Sequence, residues 1–361
     1  VEALQVEIES LKSPHLAVHT VFFGGGTPSL LPPSAVAQIL ETIARCFHLL
    51  PDAEITLEAN PGTVTLESLR ALRAAGVNRL SLGMQSAQAE ELHLLEREHS
   101  FLDVIHAVEW ARRAGFTLLN LDLIYGLPSQ SLERWQSNLE WALRLQPEHL
   151  SLYALSIEHG TPFSRWVGRG LMPAPDDDLA AAMLEWSAER LEQAGYAQYE
   201  ISNWARDLPP SPPLESPRYA CRHNLQYWLM QPYLGFGAGA HGYASGYRYA
   251  NVLRIRTYIE RLRAAPQRPF PLSPAAVHIH RQTLEDEMGE FMMLGLRLTR
   301  QGVSLETFHQ RFGREAREIY GKPISRLCQD GLLEILEGGK RLRLTRRGRL
   351  LGNRVFREFL L

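Results

Sequence analysis

Hydrophobic positions along the chain fall into alternating helix-like and strand-like blocks. Val1, Leu4, Ile8 and Leu11 lie on one helical stripe, so the chain opens inside an amphipathic helix. An apolar run Val21 to Phe23 follows and enters three glycines, Gly24-Gly25-Gly26, which Thr27-Pro28-Ser29 lead on from. The next helix is predicted to begin near Pro33-Ser34 and to bury Val36, Ile39, Leu40, Ile43 and Phe47. A strand Ile55 to Ala59 then ends at Asn60-Pro61-Gly62. From there a unit repeats. Helices ending in Ala74-Ala75-Gly76, Arg113-Ala114-Gly115 and Gln193-Ala194-Gly195 run into strands Arg79 to Gly83, Leu118 to Ile124 and Tyr199 to Ile201, each glycine serving as the left-handed stop. Between the last two lie a helix Leu132 to Leu145 and a strand His149 to Leu155. Strands alternating with helices predict an α/β fold, a partial parallel barrel of about six β/α units.

Past residue 205 the pattern changes. Asp207 to Pro217 is proline-rich, and an irregular aromatic stretch, Tyr219 to Tyr249, contains the glycine-rich run Gly235 to Gly242. Pro266, Pro269, Pro271 and Pro274 mark a linker. Thr283-Leu284-Glu285-Asp286 caps a helix through Leu298, a second helix covers Leu305 to Phe312, and Leu332 to Leu336 with Leu342 to Leu344 reads as a hairpin before a last helix from Thr345. Helices followed by a two-stranded wing predict a small winged-helix-like domain. The expected divisions are residues 1–205, the barrel; 206–270, the aromatic extension; and 271–361, the C-terminal helical domain.

Charge narrows the partners. Lys and Arg number 38 against 40 Asp and Glu, a formal charge of -2 in 361 residues, so no overall field recruits a polyanion. Lys340, Arg341, Arg343, Arg346, Arg347 and Arg349 form a local basic cluster, but the third helix of the winged domain carries only Lys322 and Arg326 before the wing, and nucleic acid is not expected as a partner. No apolar stretch reaches the roughly 18 residues that span a bilayer, and a cytoplasmic location is expected. Cys46, Cys221 and Cys328 are too scattered for a disulfide framework or a Cys-x-x-Cys metal site.

Polar residues at strand ends supply the candidate chemistry. The glycine turn lets backbone N–H groups approach a ligand, although it matches neither the dinucleotide fingerprint nor a phosphate loop and reads equally as a tight connection. Glu58 ends one strand, Gln85 follows the next, Asp122 lies in the fourth and Ser151 to Ser156 occupy the fifth. In a β/α barrel such positions converge on one face. Singly, each carboxylate reads equally as a cap or a buried pair; together these side chains suit ribose hydroxyls, an adenine edge and an amino-acid head group. His223 beside Tyr227 and Trp228 could offer an imidazole with flat apolar walls, as a haem site requires, or be an ordered loop histidine among packed aromatics.

These residues resemble the radical S-adenosylmethionine (SAM) superfamily, and within it the oxygen-independent coproporphyrinogen III oxidase family. The motifs are Gly24 to Ser29, Glu58-Ala59-Asn60-Pro61-Gly62, Ser81 to Ser86, Arg97 with His99, and Asn120 to Pro128. The resemblance implies SAM contacts from Gly25, Gly26, Thr27, Glu58, Gln85, Asp122 and Ser156, and from Arg97 to the SAM carboxylate. Tyr199 to Ala205 and Cys221 to Trp228 resemble the HemW-type branch, regarded as haem chaperones. That implies haem as cargo, His223 as a ligand with Cys221 as a second candidate, and haem or porphyrin and haem-accepting proteins as partners. It leaves open enzymatic activity, peripheral membrane association and oligomeric state. The alternative is oxidative decarboxylation of coproporphyrinogen III. The family's Cys-x-x-x-Cys-x-x-Cys loop, which holds a [4Fe–4S] cluster, is absent. The expectation is that it lies upstream of Val1 in the full-length protein, so no metal ligand or catalytic residue is assigned within the chain.

Overall fold

In the computed structural model, residues 1–158, 160–264 and 268–360 are described, and Pro266 of the expected linker lies outside them. The polypeptide divides into two units. One comprises Val1–Val21, Pro33–Glu54 and Cys221–Leu361; the other comprises Phe22–Pro32 and Ile55–Ala220.

A seven-stranded sheet of β1 (Ser13–Phe23), β2 (Phe47–Ala59), β3 (Arg79–Gln85), β4 (Leu119–Tyr125), β5 (His149–Ala154), β6 (Tyr196–Glu200) and β7 (Asn203–Arg206) has the order β1-β2-β3-β4-β5-β7-β6; β3 to β7 and the C-terminal ends of β1 and β2 lie in the second unit. β2 to β5 are parallel. Helices Leu66–Ala74, Phe101–Arg113, Leu132–Arg144 and Asp177–Gln193 make the crossovers. Thr65, Ser100, Ser131 and Asp176 cap them, each accepting a backbone N–H of the first turn. Side chains alternate across a strand, so Leu80 and Leu82, and Leu119, Leu121 and Leu123, fall on one face and are fully buried. The intervening positions, Ser81 on β3 and Asn120 and Asp122 on β4, share the other face. Most β/α barrels fill that face with branched aliphatics. Here it is polar.

The sheet departs from the expected parallel repeat at its end. β7 pairs antiparallel with β5, and β6 antiparallel with β7. Glu200 explains the reversal: its Oε1 accepts the backbone N–H of Ser202 at 2.9 Å and the side-chain amide of Asn203, closing a tight turn that returns the chain beside β5. The sheet is therefore mixed. Phe47, expected on a helix, instead begins β2, because the helix Pro33–Cys46 ends one residue earlier. β1 is much longer than its apolar run, and none of its residues is buried.

In the first unit, Glu7 of the helix Glu2–Ser10 is fully buried. Its carboxylate accepts from Gly237 N at 2.8 Å, Asn251 Nδ2 at 2.7 Å, Tyr258 Oη at 2.6 Å and Ser273 Oγ at 2.7 Å. The glycine-rich run leads into a small antiparallel sheet of β8 (His241–Ala244), β9 (Tyr247–Ala250) and β10 (His280–Arg281). Helices Leu284–Gly295, Leu305–Phe312 and Ala316–Gln329 then pack with a three-stranded wing of β11 (Val303–Ser304), β12 (Leu333–Leu336) and β13 (Arg341–Leu344), in the order β11-β13-β12. Phe291, Phe308, Phe312, Tyr320 and Phe359 form its edge-to-face aromatic core. Among the described residues no helix is long and apolar enough to cross a membrane.

Candidate functional site

The polar face of the second unit begins at the glycine turn. Gly25 and Gly26 adopt φ of +81° and +62°, and a Cβ on either would meet nothing within 4 Å. Their backbone therefore borders open space. Gly25 donates its N–H to Glu58 Oε2 at 3.1 Å, which joins the end of β1 to the end of β2. Ser29 fastens the same two loops, lying 2.6 Å from Thr63 Oγ1 and accepting from Asn60 N at 3.2 Å. Thr27 precedes the short helical turn Pro28–Leu30, and its side chain makes no cap there.

Asp122 is the centre of the strand-end cluster. Its carboxylate accepts from Ser81 Oγ at 2.9 Å and Asn120 Nδ2 at 2.8 Å, with a further hydrogen bond from Ser151. Burial raises its pKa against the pull of those donors and of Arg97. Burial likewise raises Glu58, opposed by the Gly25 N–H and assisted by the charge on Asp122. Two carboxylates placed this way disfavour each other's ionisation and attract a ligand rich in hydroxyls or positive charge.

Gln85 ends β3 at φ +61°, a conformation few non-glycine residues adopt, and is buried. The segment after it is locked by Ser86, which donates to Glu91 Oε2 at 2.6 Å, and by Asn138, which accepts the Ala87 N–H at 3.0 Å and donates to the same carboxylate at 2.7 Å. Arg97 is exposed and, among the described residues, pairs with no carboxylate. His99 is buried and neutral, its pKa lowered first by desolvation; Nε2 lies 3.3 Å from Met84 O, and Nδ1 has no partner among the described residues.

Gly25 and Glu58 are thus in direct contact, Asp122 is their electrostatic neighbour, and Arg97 acts on Asp122. Ser156 lies beyond β5 on a loop and donates to Glu158 at 3.3 Å. Ser81, Asn120 and Ser151, not singled out individually by the sequence, complete the Asp122 shell. The available signal was their period-2 spacing with Asp122 and the next buried strand positions.

The residues present fit SAM. Glu58 and Asp122 supply acceptors, the exposed Arg97 guanidinium suits a carboxylate, and the glycine backbone leaves room for close approach. They do not fit an iron–sulfur cluster. No group of three or more His, Cys, Asp or Glu among the described residues could hold a metal ion, and Cys46 and Cys221 are buried.

His223 belongs to the first unit. It sits on the helix Arg222–Trp228, whose start is fixed by Glu54 of β2, which accepts from His223 N at 3.0 Å and Cys221 Sγ at 3.3 Å. The imidazole Nδ1 lies 2.8 Å from Thr20 Oγ1 and Nε2 2.9 Å from Tyr227 Oη. Both nitrogens are therefore engaged. Desolvation pushes its pKa down to about 4, so the ring is neutral at pH 7. Tyr227 stands edge-on to His223, and Tyr233 edge-on to Tyr227, with centroids 5.1 and 4.6 Å apart.

The sequence profile of the Radical SAM superfamily matches residues 1–142, and that of the HemN C-terminal domain residues 282–351. The heme chaperone HemW of Bacillus subtilis (strain 168) is 37% identical over 342 residues, 94% of this chain and 85% of that protein. HemW of Mycobacterium tuberculosis (strain ATCC 25618 / H37Rv) is 41% identical over 359 residues, covering 99% and 84%. Among solved structures, coproporphyrinogen III oxidase (HemN) from Escherichia coli, a radical SAM enzyme, matches with a TM-score of 0.80 at 23% identity, over 99% of this chain and 82% of that one. That last likeness concerns the fold.

Proposed function

Since the chain belongs to the radical SAM superfamily, and within it to the HemW-type proteins, we propose that it binds haem and passes it to haem-accepting proteins. SAM is held at Gly25, Gly26, Thr27, Glu58, Gln85, Arg97 and Asp122, with Ser156, in the loop after β5, as a further contact. When bound it supplies a sulfonium and an adenosyl group. The chain's own residues bind and orient it: Glu58 and Asp122 accept from hydroxyls, Arg97 pairs with the carboxylate, and the glycine backbone lines the approach.

The observation that carries the haem reading is the neutral imidazole of His223, held beside Tyr227 and Tyr233. A neutral imidazole is the ligating form, and the edge-to-face aromatic rings beside it offer apolar surface for a macrocycle. Iron at Nε2 would replace one hydrogen bond, the one with Tyr227 Oη, worth about 1 kcal/mol. Cys221 supports the start of the helix through Glu54.

The test is a haem titration followed by absorbance, run beside an anaerobic assay for protoporphyrinogen. Haem is expected to bind, His223→Ala to weaken it by about tenfold, or 1.4 kcal/mol, and Cys46→Ala to leave it unchanged. Equal binding with and without His223 removes this residue from the site. Accumulation of protoporphyrinogen replaces the chaperone by the oxidative decarboxylase.

A further inference from the structure

Behind Asp122 lies a buried polar chain for which neither fold nor cap accounts. Asn120 and His149 are directly in register across β4 and β5, as are Asp122 and Ser151 one step further along. Asn120, His149, Ser151 and Tyr199 are all buried. Asn120 Oδ1 meets His149 Nδ1 at 2.6 Å and Ser151 Oγ at 3.1 Å, and His149 Nε2 meets Tyr199 Oη at 2.8 Å.

The direction of each hydrogen bond follows from the orientation of the Asn120 amide. Its Nδ2 donates to Asp122 Oδ1 at 2.8 Å and to Ser81 Oγ at 2.7 Å. Asn120 Oδ1 then faces His149, which must carry its proton on Nδ1. That leaves Nε2 as an acceptor for the Tyr199 hydroxyl. The tautomer of His149 is thereby fixed. Desolvation, with Arg79 adding to it, keeps this ring neutral.

We propose that Tyr199, His149 and Asn120 are positioning residues that hold the Asp122 carboxylate in its ligand-accepting orientation, so that the Tyr199 hydroxyl tunes SAM affinity from three hydrogen bonds away. This rests on the SAM pocket described above. It also gives a task to the Tyr199 to Ala205 motif: Glu200 turns the strand, and Tyr199 closes the polar chain.

The experiment combines equilibrium dialysis with SAM and ring ¹⁵N NMR of the histidine-labelled protein without ligand. The wild-type protein is expected to show His149 in the Nδ1–H tautomer. Tyr199→Phe is expected to shift that signal and to weaken SAM binding by about three- to tenfold. His149→Gln, which can donate to Asn120 at one end and accept from Tyr199 at the other, is expected to keep near-wild-type affinity, while the similarly sized His149→Leu loses it. A purely space-filling role would make the two alike. Asp122→Asn is expected to move the His149 ring signal even without SAM. If Asp122→Ala leaves SAM affinity unchanged, the pocket reading fails. If Asp122→Ala weakens binding but Tyr199→Phe and His149→Leu do not, the pocket stands and the positioning chain is overturned. An Nε2–H tautomer in the wild-type protein overturns the chain without reference to SAM.

Discussion

Burial moves Asp122 and His223 in opposite directions on the pH scale, because one is charged when it loses its proton and the other when it gains one. In the pocket, Gln85→Ala, Arg97→Ala and Asp122→Ala each remove one charged or hydrogen-bonded contact. Each is expected to weaken SAM by about 1–3 kcal/mol, read by equilibrium dialysis; unchanged affinity in all three would remove the assignment. For His223 the sign runs toward acid lability. The unfolded imidazole protonates near 6.5 and the folded one near 4, so between those values the unfolded state binds more protons. Its contribution is complete above pH 6.5 and is lost as pH falls toward 4, by about 3 kcal/mol. Urea denaturation at pH 7 and pH 4.5 is expected to show a smaller difference for His223→Gln than for the wild-type protein.

Two elements are held by a few polar groups. The glycine turn needs φ above +60° at Gly25 and Gly26, and open space surrounds both. Gly25→Ala therefore meets no neighbour, and its cost is that of the left-handed backbone, about 1 kcal/mol. Any larger effect is expected in SAM binding, since the turn's N–H to Glu58 is displaced; a thermal melt and dialysis on the same sample separate the two. The opening helix Glu2–Ser10 depends on Glu7. Glu7→Ala leaves Asn251, Tyr258 and Ser273 without their acceptor and is expected to destabilise the protein by about 3 kcal/mol. Denaturant midpoints measure it, and Glu7→Gln, which keeps one acceptor oxygen, is expected to fall between. The helix stripe Val1, Leu4, Ile8, Leu11 was legible from spacing. That Glu7 between them is the buried anchor was not, since its four partners lie more than two hundred residues away.

Across the whole molecule, the balance of 38 basic and 40 acidic residues leaves recognition to local geometry. The cysteines decide the metal chemistry of this chain. A [4Fe–4S] cluster needs about four ligands placed together, and no such group exists among the described residues. Anaerobic reconstitution and iron analysis are expected to find far less than one cluster per chain, with no 5′-deoxyadenosine formed. Four irons with turnover would contradict this.

The sequence by itself determined what depends on neighbours in the chain. Helices are legible from apolar spacing and glycine stops, strands β3 to β5 from short apolar runs, and Glu58 and Asp122 as exceptions within such runs, because periodicity and propensity act over a few residues. Tertiary structure decided what depends on register. The antiparallel return of β7 beside β5 rests on one turn closed by Glu200, which no repeat of the β/α pattern foretells. His149, read only as the start of a strand, becomes a fixed-tautomer link because register sets Asn120 beside it. His223 was legible as an imidazole among aromatics, but its Nδ1 partner, Thr20, is 203 residues distant. Side-chain type is written in the chain, whereas the partner of each polar atom is fixed only when all the strands have found their places, and it is the partner that sets charge, tautomer and accessibility.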